Sequence, residues 1–558
     1  MYTSRQRFTA AGALALTSAL GIYGAHGAPG DLDTSFGNGS GVVTANLGQL
    51  PSEPPYNQFI AVAAIQSDNK IVVATSNRDF RIARYHANGT LDQTFGVNGV
   101  ATIDAGSDDT PRGIVVQPNG KIVVVGTRYI DSPTSGYYPD GVVAARFNSN
   151  GSIDTTFGGG NGIAQIDPLP DQTASALGLA LQRDGKLVIV GYGHRIPQGE
   201  TATDAFVLRL NTNGTADSSF GQNGTAKLDV GGNERFYSVA LQDDGRIAVT
   251  GTANGLGALS ARFTQSGVLD TSFGSGGWVY TPMGNDSGAV ALSIRPDRKW
   301  LLTGLQPEVG GGYDYVLARY HPNGLIDSTF GAGGLVVTDV SAIRNVGGDL
   351  DLPHSLAIQA NGKIVVGGES GYTEPNYFTL VRYAGDGQLD PTFSVDGVAE
   401  MRGSYATGIA ITPTGKIIAA GIDRTAYNRP VSLILSQYQG DNLDLTPGAI
   451  AFVDKTSVAL RTVQTSNEIV VSGLTTDAYV PVRVSGGTRS INGAGFTALP
   501  GWVKNGDRIR VRHTSSARYA TKTHTVLTIG GLHAPNNPAL VLGQKTVDTF
   551  TSTTRNAR

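Results

Sequence analysis

The chain has 558 residues, with 76 glycines, 25 prolines, no cysteine, 16% charged residues and a net charge of −3. Glycine stands at about twice its usual ~7% share without recurring every third residue, which excludes collagen, and 40% hydrophobic content is enough to bury a core. The absence of cysteine excludes thiolate catalysis, disulfide frameworks and Cys-ligated metal sites.

At the N-terminus, Arg5 and Arg7 precede an apolar stretch from Phe8 to about Ala25, and Ala25-His26-Gly27 offers a small-x-small cleavage point. Residues 1–27 are therefore expected to be a signal peptide. The mature chain is expected to be secreted or periplasmic, with no membrane span, because no other run approaches the ~18 apolar residues a spanning helix needs. The two arginines are not adjacent, so the segment does not match a twin-arginine signal.

A repeat of about sixty residues follows. Its first phrase reads Leu32-Asp33-Thr34-Ser35-Phe36-Gly37 and occurs seven times, with aspartates at 33, 92, 154, 217, 270, 327 and 390. A second phrase is typified by Ile114 to Gly126, two β-branched runs around Asn119-Gly120, which predicts a two-residue type I′ hairpin. Its counterparts carry Asp184-Gly185, Asp244-Gly245, Asn361-Gly362 and Thr414-Gly415. Asn69 replaces the glycine in one copy. Arg298 does so in another, where it should strain the turn or force a different type. A third phrase, Phe80 to Tyr85, is another strand that runs into another Asn-Gly turn.

With a strand after each Phe-Gly phrase, every unit has four strands and no helical periodicity. Four strands per unit, repeated radially, predict an all-β, seven-bladed β-propeller. The chain begins with a Phe-Gly strand and its last unit, ending at Val431 to Tyr438, lacks one. The N-terminal strand is therefore expected to complete the last blade.

An arginine precedes the aspartate by eight residues in six units: Arg84–Asp92, Arg146–Asp154, Arg209–Asp217, Arg262–Asp270, Arg319–Asp327 and Arg382–Asp390. Gln437 stands where the seventh arginine would be, facing Asp33 through closure. Six arginines could form a ligand-binding ring, but repetition in every unit suits a partly buried fork that holds a turn.

The Leu-Asp-x-x-Phe-Gly phrase, the Asp/Asn-Gly-Lys hairpin and the Ala-Arg-Tyr strand resemble the delta-60 repeat family of bacterial exported proteins, over roughly residues 30–441. The hairpin order is also similar to NHL-type propeller blades. The resemblance implies a propeller-like fold and no established reaction.

The repeat stops after Asp441. Residues 28–441 are read as the propeller, 442–448 as a linker and 449–558 as a second domain. That domain has alternating runs at Glu468 to Ser472, Val480 to Val484, Asp507 to Arg512 and Thr523 to Ile529. About seven strands in this length predict an immunoglobulin-like sandwich, and the stretches around Val471-Ser472-Gly473-Leu474 and Asn505 to Arg512 resemble a sandwich module of bacterial envelope proteins. From Leu445 onward there are 13 Lys or Arg against 5 Asp or Glu. Arg508, Arg510 and Arg512 alternate along one strand and share a face, with Arg518 and Lys522 nearby. Such a face suits an acidic polymer or the acidic propeller, but its pattern is first of all that of a solvated strand face opposite Ile509 and Val511.

Sites of known chemistry are sparse. There is no phosphate-binding glycine loop, no His-Glu-x-x-His and no G-x-S-x-G elbow. Asn148 to Asp154, Asn211 to Asp217 and Asp386 to Asp390 have oxygen ligands in loop spacing that could bind calcium, although they serve equally as turns. No other cofactor is implied. Longer loops at Tyr129 to Asp140, Arg195 to Thr203, Pro307 to Tyr313 and Ile343 to Asp351 break the symmetry, and insertions of this kind gather on one face of a repeat protein. The sequence thus points to an exported, monomeric, non-enzymatic recognition scaffold for a protein or glycan. A propeller hydrolase or lyase acting on a polysaccharide or lactone is the alternative.

Overall fold

The computed structural model describes residues 27–557 apart from 46–59, 107, 133–135, 171, 196–202, 255–256, 284–287, 309–310, 345–349, 372–376, 403, 424–431 and 535–536. The signal-peptide reading, with Arg5 and Arg7, lies outside the described residues. Among the described residues no helix is long and apolar enough to cross a membrane.

Among the described residues seven antiparallel sheets of four strands carry the repeat. In one of them Asp108–Val116, Ile122–Ser132, Gly136–Phe147 and Ile163–Ile166 pair in chain order. Five others, starting at Val62, Gln172, Glu234, Gly288 and Leu352, repeat this meander. The last sheet is assembled from both chain ends: Val42–Ala45 pairs with Ser432–Tyr438, which continues through Ile417–Asp423 to Ser404–Ile411. The inner runs are continuously apolar, not alternating, because Ile122, Val123, Val124 and Val125 are buried on both faces of their sheet.

Neighbouring sheets pack through these residues. The core around Ile71, Val73 and Phe80 reaches Ile114 and Val124 of the following sheet and Ile418, Ala420 and Leu435 of the last one. The N-terminal segment completes its sheet through Gly30 N–H to Gln439 O at 2.9 Å and Asp33 N–H to Gln437 O at 2.8 Å.

One turn expectation is corrected, and of the two outcomes expected for Arg298 the structure takes the strained turn. The hairpin around Asn119-Gly120 is a three-residue loop, with Gln117 N–H to Lys121 O at 2.7 Å and Gly120 N–H to Gln117 O at 2.8 Å. Only Gly120 has positive φ, at 80°. This is a type I turn closed by one left-handed residue, and the Asn119 side chain accepts the Lys121 N–H, at 3.1 Å. Arg298 neither breaks nor changes this turn; it adopts φ 66°, close to the 64° of Asn69, so the turn is kept and the strain stays in the backbone.

Many glycines are not in turns at all. The first strand of six sheets bulges, for example between Pro111 and Gly113. Opposite that bulge a Cβ on Gly126 would meet Thr110 O at 2.0 Å, and one on Gly191 would meet Ser175 O at 1.9 Å. The expectation of no helix is also corrected: Val340–Arg344 forms a short one in the connection before Asp351.

After Tyr438 the chain runs without regular structure to Lys455, with Leu445, Ile450 and Phe452 already packed on the next core. That core, with Val480, Val482, Ile509, Val511, Leu527, Ile529 and Phe550, lies between two sheets. Lys455–Val458, Asn537–Thr554, Lys522–Ala534, Val480–Ser485 and Gly501–Val503 form one; Arg508–Thr514, edged by Val463–Thr465, Ile469–Val470 and Thr488–Ile491, forms the other. Among the described residues the strands number nine, more than the sequence suggested, and a long hairpin, Lys522 to Thr554, ends the domain. Tyr479 N–H to Ala360 O at 2.9 Å joins this unit to a hairpin turn of the repeat region.

Candidate functional site

Six of the seven sheets hold one aspartate, buried in all but the case of half-buried Asp270, that gathers two cations. Arg84 Nε lies 2.8 Å from Asp92 Oδ2, Arg146 2.6 Å from Asp154, Arg209 2.7 Å from Asp217, Arg262 2.8 Å from Asp270, Arg319 2.7 Å from Asp327 and Arg382 2.7 Å from Asp390. The second cation comes from the residue after the left-handed position of the hairpin: Lys70, Lys121, Lys186, Arg246, Lys299 and Lys363, at 2.7 to 3.1 Å. Sequence reading missed this role of the lysine. The residue two after each aspartate, such as Thr94, donates its N–H and hydroxyl to the carboxylate at 3.1 and 2.6 Å, which explains the serine or threonine before the phenylalanine.

Each arginine also stacks over the repeat phenylalanine, 4.5 to 5.0 Å from the ring centre. Five of the guanidinium groups donate to a carbonyl of the next unit: Ser149, Thr212, Gln265, Pro322 and Gly385. Burial opposes ionisation of Asp92, but Thr94, Lys70 and the charge of Arg84 outweigh it and hold the carboxyl well below the usual range. These twelve residues form framework contacts inside the sheets.

At the seam the arrangement changes. Lys416 and Gln437 both donate to Asp33 Oδ2, and Arg382 donates from Nη1 to Gln359 Oε1 at 3.3 Å, not to a main-chain carbonyl, with Nη2 3.2 Å from Asp441. In the three loops with calcium-like spacing, Asp154, Asp217 and Asp390 are each held by two cations, and Asp386 accepts the Gln388 N–H. Asp154 is held by Lys121 and Arg146, and Asn150 accepts from Ser152.

On the C-terminal unit Arg508 and Arg510 are exposed, while Ile509 and Val511 are buried. Arg508 Nη1 lies 2.6 Å and Arg510 Nε 3.3 Å from Glu468, and Arg512 stacks over Phe496 at 4.1 Å. Arg518 lies in the turn after this strand and Lys522 opens the next one.

The meander puts first-to-second and third-to-fourth turns on one face. The second-to-third loops and the passage to the next sheet fall on the other. All four long loops belong to that second face, with parts of each outside the described residues. Here the symmetry breaks chemically. Asp204 is the second residue of a third strand, Asp229 follows a fourth, and Glu234 opens the first strand of the next sheet. Their carboxylate oxygens lie within 4.8 Å of one another.

Burial, then the charges of Asp229 and Asp204, push the Glu234 carboxyl up to about 7, against the nearby amides of Val230 and Glu234 itself. Glu308, Asp314 and Asp339 form a second such group. There burial, then Glu308, Asp339 and Asp351, push Asp314 up to about 7. The signal was present in the sequence as a spacing: Asp79, Asp104 and Asp109 repeat the intervals of Asp204, Asp229 and Glu234. It was hidden because these residues lie in different phrases of the repeat.

Five stretches, residues 66–95, 117–157, 182–220, 295–330 and 359–393, match the family described as "Domain of unknown function (DUF5122) beta-propeller". No curated protein matches the sequence. Similar solved structures include a protein of unknown function from Bacteroides caccae, 11% identical over 62% of this chain and 97% of that one, with a TM-score of 0.33. Another, from Dyadobacter fermentans, is 11% identical over 71% and 99%, with a TM-score of 0.37. Drosophila Semaphorin 2a is 10% identical over 93% and 98%, with a TM-score of 0.39. Likenesses of this strength say nothing of what the chain binds. The matched stretches fall on the four-stranded units that recur along the chain, which is a β-propeller repeat protein.

Proposed function

We propose that the seven sheets are the blades of one propeller closed by its N-terminal strand, and that the C-terminal unit is an immunoglobulin-like sandwich. On this reading the chain is an exported, non-enzymatic scaffold of the delta-60 type that recognises a cell-surface or extracellular protein or polymer. The observation that carries the reading is the division of labour between the two faces. The turn face repeats one lock in six sheets with a variant in the seventh, and it receives the C-terminal unit at Ala360. The loop face collects the unequal loops and two groups of close carboxylates, Asp204, Asp229 and Glu234 in one and Glu308, Asp314 and Asp339 in the other. A partner therefore meets the loop face, and a basic or hydroxyl-rich glycan suits its acidic character.

The face of Arg508, Arg510 and Arg512 is a second contact surface for an acidic polymer, because Glu468 neutralises only one of the charges there. A glycan array probed with the full mature chain tests the scaffold reading. The expectation is a narrow class of bound glycans, unchanged in R508S/R510S, and array-wide absence of binding contradicts it. Binding to heparin or dextran sulfate that R508S/R510S does not weaken contradicts the second surface.

A further inference from the structure

Arg235 and Tyr192 meet where the sheet starting at Gln172 joins the sheet starting at Glu234. The Arg235 guanidinium lies over the Tyr192 ring, 4.5 Å from its centre. Tyr192 and His194 are two residues apart on one strand and share a face, and their rings meet edge to face with centres 5.2 Å apart. Thr173 stands opposite His194 on the neighbouring strand, on that same face. All four residues are half-buried. The six lock arginines also stack on a ring, but each of them is engaged by an aspartate. Among the described residues Arg235 has its ring contact and no hydrogen-bond or ion-pair partner. Glu234, next to it on the strand, projects to the opposite face.

This arrangement is not part of the repeat. Counted back from the bulge, the other five bulged strands place Thr110, Ser175, Gly288, Leu352 and Tyr405 where Arg235 stands, and none of these is charged. It belongs to the loop face, because Arg235 is the second residue of its strand and His194 immediately precedes the long loop at Arg195 to Thr203. A guanidinium held flat on an aromatic ring, partly out of water and without an acceptor, offers its N–H edge to a planar anion. A carboxylate takes two such bonds side by side.

We propose that Arg235, stacked on Tyr192 and flanked by His194 and Thr173, binds the carboxylate of an acidic sugar, a uronic acid residue within a glycan. The Tyr192 and Thr173 hydroxyls and the His194 ring both donate and accept, as sugar hydroxyls require. Burial, then the charge of Arg235, lower the His194 value, so the imidazole is neutral at neutral pH and adds no second charge. These polar neighbours favour a hydroxylated ring over an acidic peptide. The inference rests on glycan recognition at the loop face and adds one carboxylate to the hydroxyl-rich ligand.

The test is an array of glucuronate, galacturonate and mannuronate oligosaccharides, each beside its carboxyl-reduced neutral counterpart, with a tetraglutamate peptide as the competing carboxylate. It is probed with the full chain, with Arg235→Gln and Arg235→Lys, and with R508S/R510S. Wild type should bind at least one uronate about tenfold or more tightly than its reduced counterpart, the effect of a lost charge-assisted pair. Arg235→Gln should lose that preference, Arg235→Lys should keep part of it, and R508S/R510S should keep all of it, which separates this site from the basic face. Both replacements of half-buried Arg235 keep a polar chain, so the variants are expected to fold, and circular dichroism confirms it; the comparison of probes within wild type needs no variant. Neutral counterparts bound as tightly as the uronates overturn this inference and leave the scaffold reading standing, whereas no glycan binding at all overturns both. Uronate binding unchanged in folded Arg235→Gln, or tetraglutamate bound as tightly as the uronates, also overturns the inference.

Discussion

Asp33 and Lys416 are 383 positions apart and share a hydrogen bond, with the amide of Gln437 on the same carboxylate oxygen. This pair does for the last sheet what Lys70 and Asp92 do inside a continuous stretch of chain. The N-terminal strand is therefore held by a copy of the internal lock as well as by its backbone pairing. Asp33→Ala should destabilise the protein by about 3–5 kcal/mol, the cost of leaving a buried partner uncompensated, whereas the exposed Asp31→Ala should change little. Chemical unfolding followed by circular dichroism checks both.

The register of the closing strand makes a sharper prediction. Thr44 stands opposite Ile434, and the chain has no cysteine to interfere. T44C/I434C should oxidise to a single intramolecular disulfide and raise the melting temperature. Failure to cross-link under mild oxidation contradicts the strand pairing.

Arg298 and Asn69 occupy a position that is glycine in the five other hairpins. A left-handed residue with a Cβ costs about 1–2 kcal/mol, so Arg298→Gly should stabilise the protein by about 1 kcal/mol. Asn69→Gly should gain less, because asparagine tolerates this conformation. Thermal melts of the two variants decide it.

The lock aspartates set the acid limit. Burial would raise Asp33 and Asp390, but Lys416, Ser35 and Gln437 for the one, and Thr392, Lys363 and Arg382 for the other, lower each to about 2. Groups with depressed values stabilise the fold fully above their unfolded value of 3.8 and lose that contribution as pH falls through the folded value. Stability should therefore fall from about pH 4 downward, most steeply below about pH 3. A protein that unfolds at pH 5 would contradict this.

Asp109 works in the opposite direction. Burial, then the charges of Asp79 and Asp104, push it up to about 7, although the Ala105 amide and Arg128 favour its charge. A raised acid contributes most below its unfolded value and loses that contribution as pH rises through about 7. Asp109→Asn should therefore melt higher than wild type at pH 8, and the difference should shrink at pH 5.

Much of the fold was legible because it was written seven times. The Phe-Gly phrase, the hairpin and the Arg–Asp interval each mark a fixed place in a four-stranded unit, and the strand missing after Tyr438 pointed to Val42–Ala45. The turn type was not legible, since the same Asn119-Gly120 pair serves a two-residue loop with two left-handed residues or a three-residue loop with one. The glycines opposite the bulges, such as Gly126, look in sequence like any glycine between strands. Their reason is a carbonyl on the neighbouring strand. The carboxyl group at Asp204, Asp229 and Glu234 was hidden for a similar reason, because its members come from two sheets and meet only when the strands are stacked.

The central claim is recognition without turnover at the loop face. The most direct test incubates the full chain with the glycan class it binds, with and without calcium, and follows polymer length by size-exclusion chromatography with a reducing-end assay. The account predicts saturable binding, lost on substitution in the loop face, and a polymer of unchanged length. Shortened chains or new reducing ends, abolished by the same substitutions, would contradict it and make the protein a hydrolase or lyase.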